Sequence, residues 1–106
     1  MNEKTTPSKS AETGVSEVLI SVIIVTYNAE EVLEATILSI VDQDYKNYEI
    51  VIVDGMSTDA TIEIIKRYEQ HIAQWVTEED NGIYDAMNKA LSMARGDYVQ
   101  FLNAGD

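Results

Sequence analysis

Strand-like runs and helix-patterned segments alternate along this chain, and no other feature restricts its fold as strongly. Residues 18–27 and 48–54 are apolar and rich in β-branched side chains. They are too continuous for strands with one hydrated face and are typical of strands buried on both faces. Residues 74–77 and 98–102 give weaker strand signals. The order βαβαβαβ predicts a mainly parallel sheet with right-handed crossovers, in a three-layer, doubly wound α/β fold.

Helical periodicity fills the three segments between these runs. We expect Asn28 to cap the first helix, Thr58 or Asp59 to begin the second, and Gly96 to stop the third, which spans residues 83–95. His71, the single histidine, is expected on the surface. The apolar residues predicted to share helix faces are Leu33, Ile37, Ile40 and Val41 in the first helix, Ile62, Ile65 and Tyr68 in the second, and Ile83, Met87, Ala90, Leu91 and Ala94 in the third.

The charge of the chain restricts its partners. Its 7 Lys and Arg against 19 Asp and Glu give a formal net charge of −12, which argues against unaided binding to nucleic acid or to an anionic membrane. An anionic ligand would almost require a divalent cation. The lack of cysteine excludes a disulfide scaffold, a thiol nucleophile and a thiolate zinc site. No run approaches the roughly 20 apolar residues of a membrane span, and residues 1–17 are polar and aperiodic, so we expect a cytoplasmic protein with a flexible N-terminal tail.

Polar residues follow the predicted strands at their carboxyl ends, which is where open parallel sheets bind ligands. The opposite ends, near residues 18, 47 and 96, are unremarkable. The first strand–helix turn has no glycine, so the dinucleotide fingerprint and the phosphate-binding P-loop are both absent. Asp54 suits hydrogen bonding to a base or a ribose, and Asp106 suits a hard metal ion. From position alone, Asp54 could equally cap the loop into the next helix, and Asp106 could be a frayed terminus.

Four motifs then resemble those of family 2 glycosyltransferases, in the family's order and at its spacing. They are Ser21 to Asn28 (SVIIVTYN), Val53 to Asp59 (VDGMSTD), Asn81 to Ala90 (NGIYDAMNKA) and Gly96 to Asp106 (GDYVQFLNAGD). The family consists of inverting enzymes with the Rossmann-like GT-A fold that use nucleotide-diphospho-sugars. The resemblance therefore implies that residues 18–106 form the N-terminal, nucleotide-sugar-binding part of such a domain.

The resemblance also implies roles for individual residues. The implied donor-binding residues are Thr26, Tyr27, Asn28, Asp54, Ser57, Asp85 and Lys89. Of these, Asp54 would bind the uracil or ribose, and Lys89 would contact the diphosphate. Asp106 would hold Mn²⁺ or Mg²⁺ against the diphosphate. For Asp59 a helix cap, and for Lys89 a solvated lysine, stay open as alternatives.

This chain departs from the family pattern in two respects. Gly55 stands where many members have a second Asp, and the metal motif, residues 103–106, has one carboxylate. Members also continue past this motif, so the catalytic base is expected beyond residue 106. We predict a transferase that moves a sugar, with a UDP-sugar as the expected donor, to a glycan or lipid-linked acceptor with inversion. We expect it to act in cell-surface polysaccharide synthesis, at the inner face of the membrane. The alternative is a non-catalytic, doubly wound nucleotide- or partner-binding module. An unpaired edge at the fourth strand predicts that the isolated chain is marginally stable, self-associates or is one piece of a larger protein.

Overall fold

The computed structural model describes residues 18–79 and 81–104. The four strands are β1 (Ile20–Thr26), β2 (Tyr48–Asp54), β3 (Gln74–Thr77) and β4 (Tyr98–Asn103), and the helices are α1 (Leu33–Val41), α2 (Thr61–Arg67) and α3 (Ile83–Met93), with a 3₁₀ turn at Glu69–His71. The predicted βαβαβαβ order is confirmed. The N-terminal tail, residues 1–17, lies outside the described residues, as do Asp80, Gly105 and Asp106.

All four strands are parallel and lie in the order β3-β2-β1-β4. The chain adds β2 and β3 on one side of β1 and then returns to place β4 on the other side. This reversal puts a topological switch point between the carboxyl ends of β1 and β4. The register of β1 and β2 runs from Ile20 opposite Tyr48 to Thr26 opposite Asp54.

Two apolar clusters hold the three layers together. On one face of the sheet, α1 and α2 bury Leu33, Ile37 and Ile65 against alternate residues of β1 and β2. On the other face, α3 packs Ala86 and Ala90 against the remaining strand residues. Since both faces of the central strands are covered, the continuous apolar runs that identified these strands are explained. The three-layer, doubly wound α/β fold is confirmed.

The start of the first helix differs from the prediction. Asn28 does not cap α1, because a turn of residues 29–32 intervenes and Leu33 N instead bonds Ala29 O. Asn28 has a left-handed backbone, with φ 47°, and its side chain accepts a hydrogen bond from Thr58 N. The residue therefore joins two loops instead of capping a helix.

The third helix also differs from the prediction. Its apolar stripe is wrong in part, since Ile83 and Leu91 are nearly half exposed, at 48% and 45%. The residues buried against the sheet are Ala86 and Ala90, whose small side chains allow a close helix–sheet approach. The helix ends at Met93, before Gly96. Gly96 is required instead by a close approach, because a Cβ there would lie 2.7 Å from Ser21 N and 2.8 Å from Leu19 O.

The described residues contain no helix that is long and apolar enough to cross a membrane. The outer strand β4 is largely exposed along its length, unlike β1 and β2. Its most exposed apolar side chain is Tyr98, at 65%.

Candidate functional site

Asp54 is the centre of the carboxyl edge of the sheet. It ends β2 and is fully buried. Its Oδ1 accepts hydrogen bonds from Thr26 Oγ1 at 2.6 Å and Ser57 Oγ at 2.5 Å, and its Oδ2 accepts from Ser57 N at 2.8 Å and Thr77 Oγ1 at 2.9 Å. A carboxylate has about four acceptor positions, so all of them are filled. The polar ends of β1, β2 and β3 thus converge on one buried carboxylate.

The loops after β1 and β2 are joined by a second set of hydrogen bonds. Asn28 N donates to Ser57 Oγ at 2.8 Å, and Thr58 N donates to Asn28 Oδ1 at 2.8 Å. Asn28 and Met56 have φ values of 47° and 66°, in the left-handed region that side chains other than glycine rarely adopt. Such backbone persists where the surrounding structure holds it, often at functional sites.

Asp59 fastens the same two loops nearer to α2. Its Oδ1 accepts from Thr61 N at 2.9 Å, and its Oδ2 accepts from Glu30 N at 3.2 Å. Glu30 Oε1 accepts in return from Ala60 N at 2.9 Å. Burial alone would raise the pKa of Asp59, but the hydrogen bonds from Thr61 and Glu30 outweigh it and the pKa is lowered. Asp59 therefore organises the start of α2, as the helix-cap interpretation expected.

An open groove of about 350 Å³ lies at the carboxyl end of β1. Its walls include Thr26 at the end of β1, Tyr27 directly after it, and Gly82 and Ile83 at the start of α3. Tyr27 is 66% exposed, and the neighbouring Tyr84 on α3 is 79% exposed. Two exposed aromatic rings at a sheet edge of this kind offer flat surfaces for stacking. The groove lies at the point where the strand order reverses.

Asp85 and Lys89 bind the loop that leads into α3. Asp85 Oδ2 accepts from Asn81 N at 3.0 Å. Lys89 Nζ donates to Glu79 O at 2.8 Å and forms ion pairs with Asp85 at 3.6 Å and Glu78 at 3.7 Å. The Lys89 side chain is 25% exposed, so it is partly solvated while its ammonium holds the loop in place. An ammonium has three N–H donors, so the bond to Glu79 O leaves others for a phosphate.

The family model for glycosyl transferase family 2 matches residues 21–106. The chain belongs to this family. A relative named "Putative teichuronic acid biosynthesis glycosyltransferase TuaG", from Bacillus subtilis, is 43% identical over 91 residues, which are 83% of this chain and 36% of the relative. A PGL/p-HBAD biosynthesis glycosyltransferase of Mycobacterium tuberculosis is 37% identical over 91 residues, with the same two coverages. The chain thus spans about a third of the length of these curated relatives.

Two solved structures are similar to this chain in both fold and sequence. TarS of S. aureus in complex with UDP-GlcNAc superposes with a TM-score of 0.75 at 31% identity, over 81% of this chain and 26% of that one. The mannosyltransferase PcManGT of Pyrobaculum calidifontis, in complex with GDP-Man and Mn²⁺, superposes with a TM-score of 0.78 at 32% identity, over 93% and 31%. The predicted family 2 membership and the GT-A, Rossmann-like fold are confirmed.

The predicted metal ligand of this family 2 domain, Asp106, lies outside the described residues. Within residues 18–79 and 81–104, no three of His, Cys, Asp and Glu lie together as a metal site. The strand that leads to the motif, β4, ends at Asn103. The assignment of Asp106 therefore stays a prediction.

Sequence reasoning missed several residues that build this family 2 site. Thr77 was placed only in a weak strand, yet it donates to Asp54. Glu30 was expected only as an acidic residue at the start of the first helix, and Thr61, whose Oγ1 accepts from Ala29 N at 2.8 Å, was not predicted to contribute. For Thr77 a signal existed, because a hydroxyl residue at the carboxyl end of a strand next to β2 lies opposite Asp54 in the register. The Glu30 and Thr61 contacts join loops about 30 positions apart and have no comparable signal.

Proposed function

We propose that this chain supplies the nucleotide-diphospho-sugar site of a family 2 glycosyltransferase, with a UDP-sugar as the first candidate donor. The observation that carries the proposal is the convergence of three strand ends on Asp54, whose partner Thr26 also lines the open groove. A buried carboxylate that is surrounded by hydroxyl and amide groups is suited to bind the N–H and O–H groups of a nucleoside. The complexes of TarS with UDP-GlcNAc and of PcManGT with GDP-Man support a nucleotide-sugar ligand.

The residues around the groove would divide the work of donor binding. The exposed ring of Tyr27 would stack on the base, with Thr26 and Asn28 shaping that end of the groove. Asp54 would bind the polar edge of the base or the ribose, and Ser57 would shape the loop beside it. Asp85 and Lys89 would lie beside the diphosphate. In this arrangement five of the predicted donor-binding residues lie at or directly after the carboxyl ends of β1 and β2, and Asp85 and Lys89 lie on α3.

We further propose Mn²⁺ or Mg²⁺ as cofactor, with Asp106 as the protein ligand. The net charge of −12 makes a cation the natural partner of a diphosphate here. Because the described residues offer no three-ligand set, the diphosphate and water would complete the shell of a hard ion. When bound, such an ion would stabilise the charge that develops on the departing diphosphate. PcManGT, which contains Mn²⁺ in its complex, supports this choice.

The acceptor side of the reaction is proposed on the names of the relatives. Those names, among them a teichuronic acid biosynthesis enzyme, support transfer to a glycan or lipid-linked acceptor in cell-surface polysaccharide synthesis, with the protein on the cytoplasmic side. Inversion requires a general base that deprotonates the acceptor hydroxyl during attack. We place that base in sequence beyond residue 106, as the greater length of the relatives supports.

Exposure of β4 supports one further part of the proposal, self-association. The strand carries exposed Tyr98, Val99 and Phe101, and an exposed apolar edge strand is a template for pairing with another chain. Sedimentation velocity over a range of protein concentrations is expected to show dimers or larger species. A monomer at all concentrations would contradict this part alone.

Isothermal titration calorimetry tests the donor site. We expect UDP to bind this chain with one-to-one stoichiometry and Mn²⁺ to strengthen the binding, with GDP and CDP weaker. Asp54→Asn neutralises the carboxylate at the carboxyl end of β2 and is expected to lose the binding. Glu49→Gln is its matched control, since it neutralises a buried carboxylate at the amino end of the same strand. The proposal would be contradicted if none of the three nucleotides bound, with or without the metal ion.

A further inference from the structure

The four hydrogen bonds to Asp54 are not equivalent. Thr26 and Thr77 donate from strands, and Ser57 N is fixed in the backbone. The fourth donor, the Ser57 hydroxyl, belongs to a loop side chain whose χ1 can turn. Thr26 and Thr77 are β-branched, so turning either hydroxyl away from Asp54 also moves a methyl group, whereas the Ser57 side chain carries its hydroxyl alone.

A ligand can bind Asp54 only if one of its own groups takes the place of the Ser57 hydroxyl. The residue is 0% exposed and its acceptor positions are filled. A ligand can hydrogen-bond to the carboxylate only if one present donor leaves. Thr26 is 2% exposed, whereas Ser57 and Thr77 are both partly buried. Of these two, Ser57 lies in a loop, and its unbranched side chain can turn the hydroxyl toward solvent.

We propose that the Ser57 hydroxyl is a latch on Asp54, which gives up its place on Oδ1 to an N–H or O–H group of a nucleoside diphosphate. This inference rests on the proposed donor site and makes Ser57 a positioning residue for it. Ser57 Oγ accepts a hydrogen bond from Asn28 N, and this bond lies on the exposed side of the loop. When the latch opens, Oγ turns out of contact with Oδ1 and toward solvent.

The surrounding loop is built to keep the latch closed in the free protein. The left-handed Met56 turns the chain so that both Ser57 N and Ser57 Oγ meet the same carboxylate. Asn28, also left-handed, donates its N–H to Ser57 and accepts from Thr58 N. Nucleotide binding therefore has to replace one hydrogen bond before it gains another.

Removal of the latch is consequently expected to tighten nucleotide binding. We expect Ser57→Ala to bind UDP about 3- to 10-fold more tightly than the wild type, because the ligand no longer displaces a hydroxyl. Ser57→Thr keeps the hydroxyl and is expected to restore the wild-type affinity. Thr77→Val removes a different donor to Asp54 and is expected to give no gain in affinity. Asp54→Asn, alone or combined with Ser57→Ala, is expected to lose the binding.

Calorimetry on these variants separates the latch from the donor site. If UDP binding depends on Asp54 but Ser57→Ala gives no gain, the latch is wrong and the proposed function stands. If UDP fails to bind the wild type, or if it binds Asp54→Asn as tightly as the wild type, the latch and the proposed donor site are both wrong. Should Ser57→Ala not fold, the wild type provides the test through the three-bond Hα–Hβ couplings of Ser57. Saturation with UDP is expected to change its χ1 rotamer, and unchanged couplings would overturn the latch.

Discussion

The two ends of the β1–β2 pair each hold a buried carboxylate, and the two are bound in different ways. At the amino end Ser21 lies opposite Glu49, and at the carboxyl end Thr26 lies opposite Asp54. In both pairs the β1 hydroxyl donates to the β2 carboxylate at 2.6 Å. Glu49 is 8% exposed and Asp54 is 0% exposed. Burial therefore does not explain why one carboxylate is structural and the other is proposed to bind a ligand. The explanation lies in the other groups that contact each carboxylate.

The amino end is closed and its charge is compensated. Glu49 accepts from Arg95 N at 2.7 Å, and its Oε1 lies 3.6 Å from Arg95 Nε. Gly96 N donates to Ser21 Oγ at 2.8 Å, and the chain passes too close there for any Cβ. Every contact joins the α3–β4 turn to β1 and β2. This cluster fixes β4 beside β1 and leaves no space for a ligand.

The carboxyl end has neutral donors and an open groove instead. Among residues 18–79 and 81–104, Asp54 forms no ion pair, and its partners are hydroxyls and one backbone N–H. Glu49 has the opposite charge of the Arg95 guanidinium 3.6 Å away, and this attraction comes in addition to the hydrogen bonds that both carboxylates accept. The comparison indicates that the type of partner, and not burial, separates a structural carboxylate from one available to a ligand.

The largest effect is expected at the closed end, from Gly96→Ala. The new Cβ would lie 2.5 Å from Ser21 Oγ and 2.7 Å from Ser21 N, so backbone must move and the free energy of unfolding should fall by about 3 kcal/mol. Urea unfolding followed by circular dichroism measures this loss. Gly82→Ala is the control, because it meets no atom within 4 Å and should lose about 1–2 kcal/mol through its positive φ alone. Equal losses would contradict the packing account of Gly96.

A matched pair of amides compares the two carboxylates directly. Asp54→Asn and Glu49→Gln each place an amide NH₂ where donors now point, so each should lower the free energy of unfolding by about 2 kcal/mol. Only Asp54→Asn should also weaken UDP binding, by about ten-fold or more. Urea unfolding and calorimetry on both variants give the comparison. A similar loss of UDP affinity in Glu49→Gln would remove the distinction between the two ends.

Acidification should lower the free energy of unfolding through Glu49, at the amino end of the β1–β2 pair. Burial alone would raise the pKa of Glu49, but hydrogen bonds from Ser21 and Arg95 and the Arg95 charge outweigh it, so the pKa lies below its ordinary value of 4.5. The stabilisation is therefore present above pH 4.5 and is lost as the pH falls through the lower, folded value. Unfolding of wild type and Glu49→Gln at a series of pH values should show their difference shrinking in acid. If the difference in free energy of unfolding between the wild type and Glu49→Gln grew on acidification, the pKa of Glu49 could not be lowered by folding.

The smallest effect is expected at Met56, beside Asp54. Its left-handed backbone costs about 1–2 kcal/mol, and glycine there would lose about 0.5–1 kcal/mol through its freer unfolded state. Met56→Gly should therefore stabilise the chain by about 0.5 kcal/mol, whereas Met56→Ala should give no gain. Thermal unfolding of both variants measures the difference. Equal stability of the two would show that φ at position 56 is not strained.

The fold class and the order of strands and helices could be predicted from the sequence, for a physical reason. Continuous β-branched runs have few alternatives to buried parallel strands, so β2 was placed at its observed ends. The short β3 was also placed at its observed ends, on a weaker signal. Asp54 could be placed at the ligand edge because the end of a parallel strand fixes its position in the fold. The motifs added the family, which fold class alone does not give.

The remaining features depend on contacts between distant segments. Asn28 was assigned to a helix cap, a local role, whereas its partners Ser57 and Thr58 lie about 30 positions away. The third helix was misjudged because periodicity ranks Ile83 and Leu91 above alanine, and the sheet instead accepts the small Ala86. The amino end seemed unremarkable because Glu49 interrupts an apolar run by one residue, and its partner Arg95 follows 46 positions later.

Nuclear magnetic resonance during a UDP titration with Mn²⁺ tests the central claim most directly, since it observes both ends of the sheet in one experiment. We predict saturable shifts of the amide signals of Thr26, Asn28, Ser57 and Thr77 at the carboxyl end. The signals of Ser21, Glu49, Arg95 and Gly96 should stay in place. Shifts at the amino end alone, or no saturable shift at either end, would contradict the assignment of the donor site to Asp54 and its neighbours.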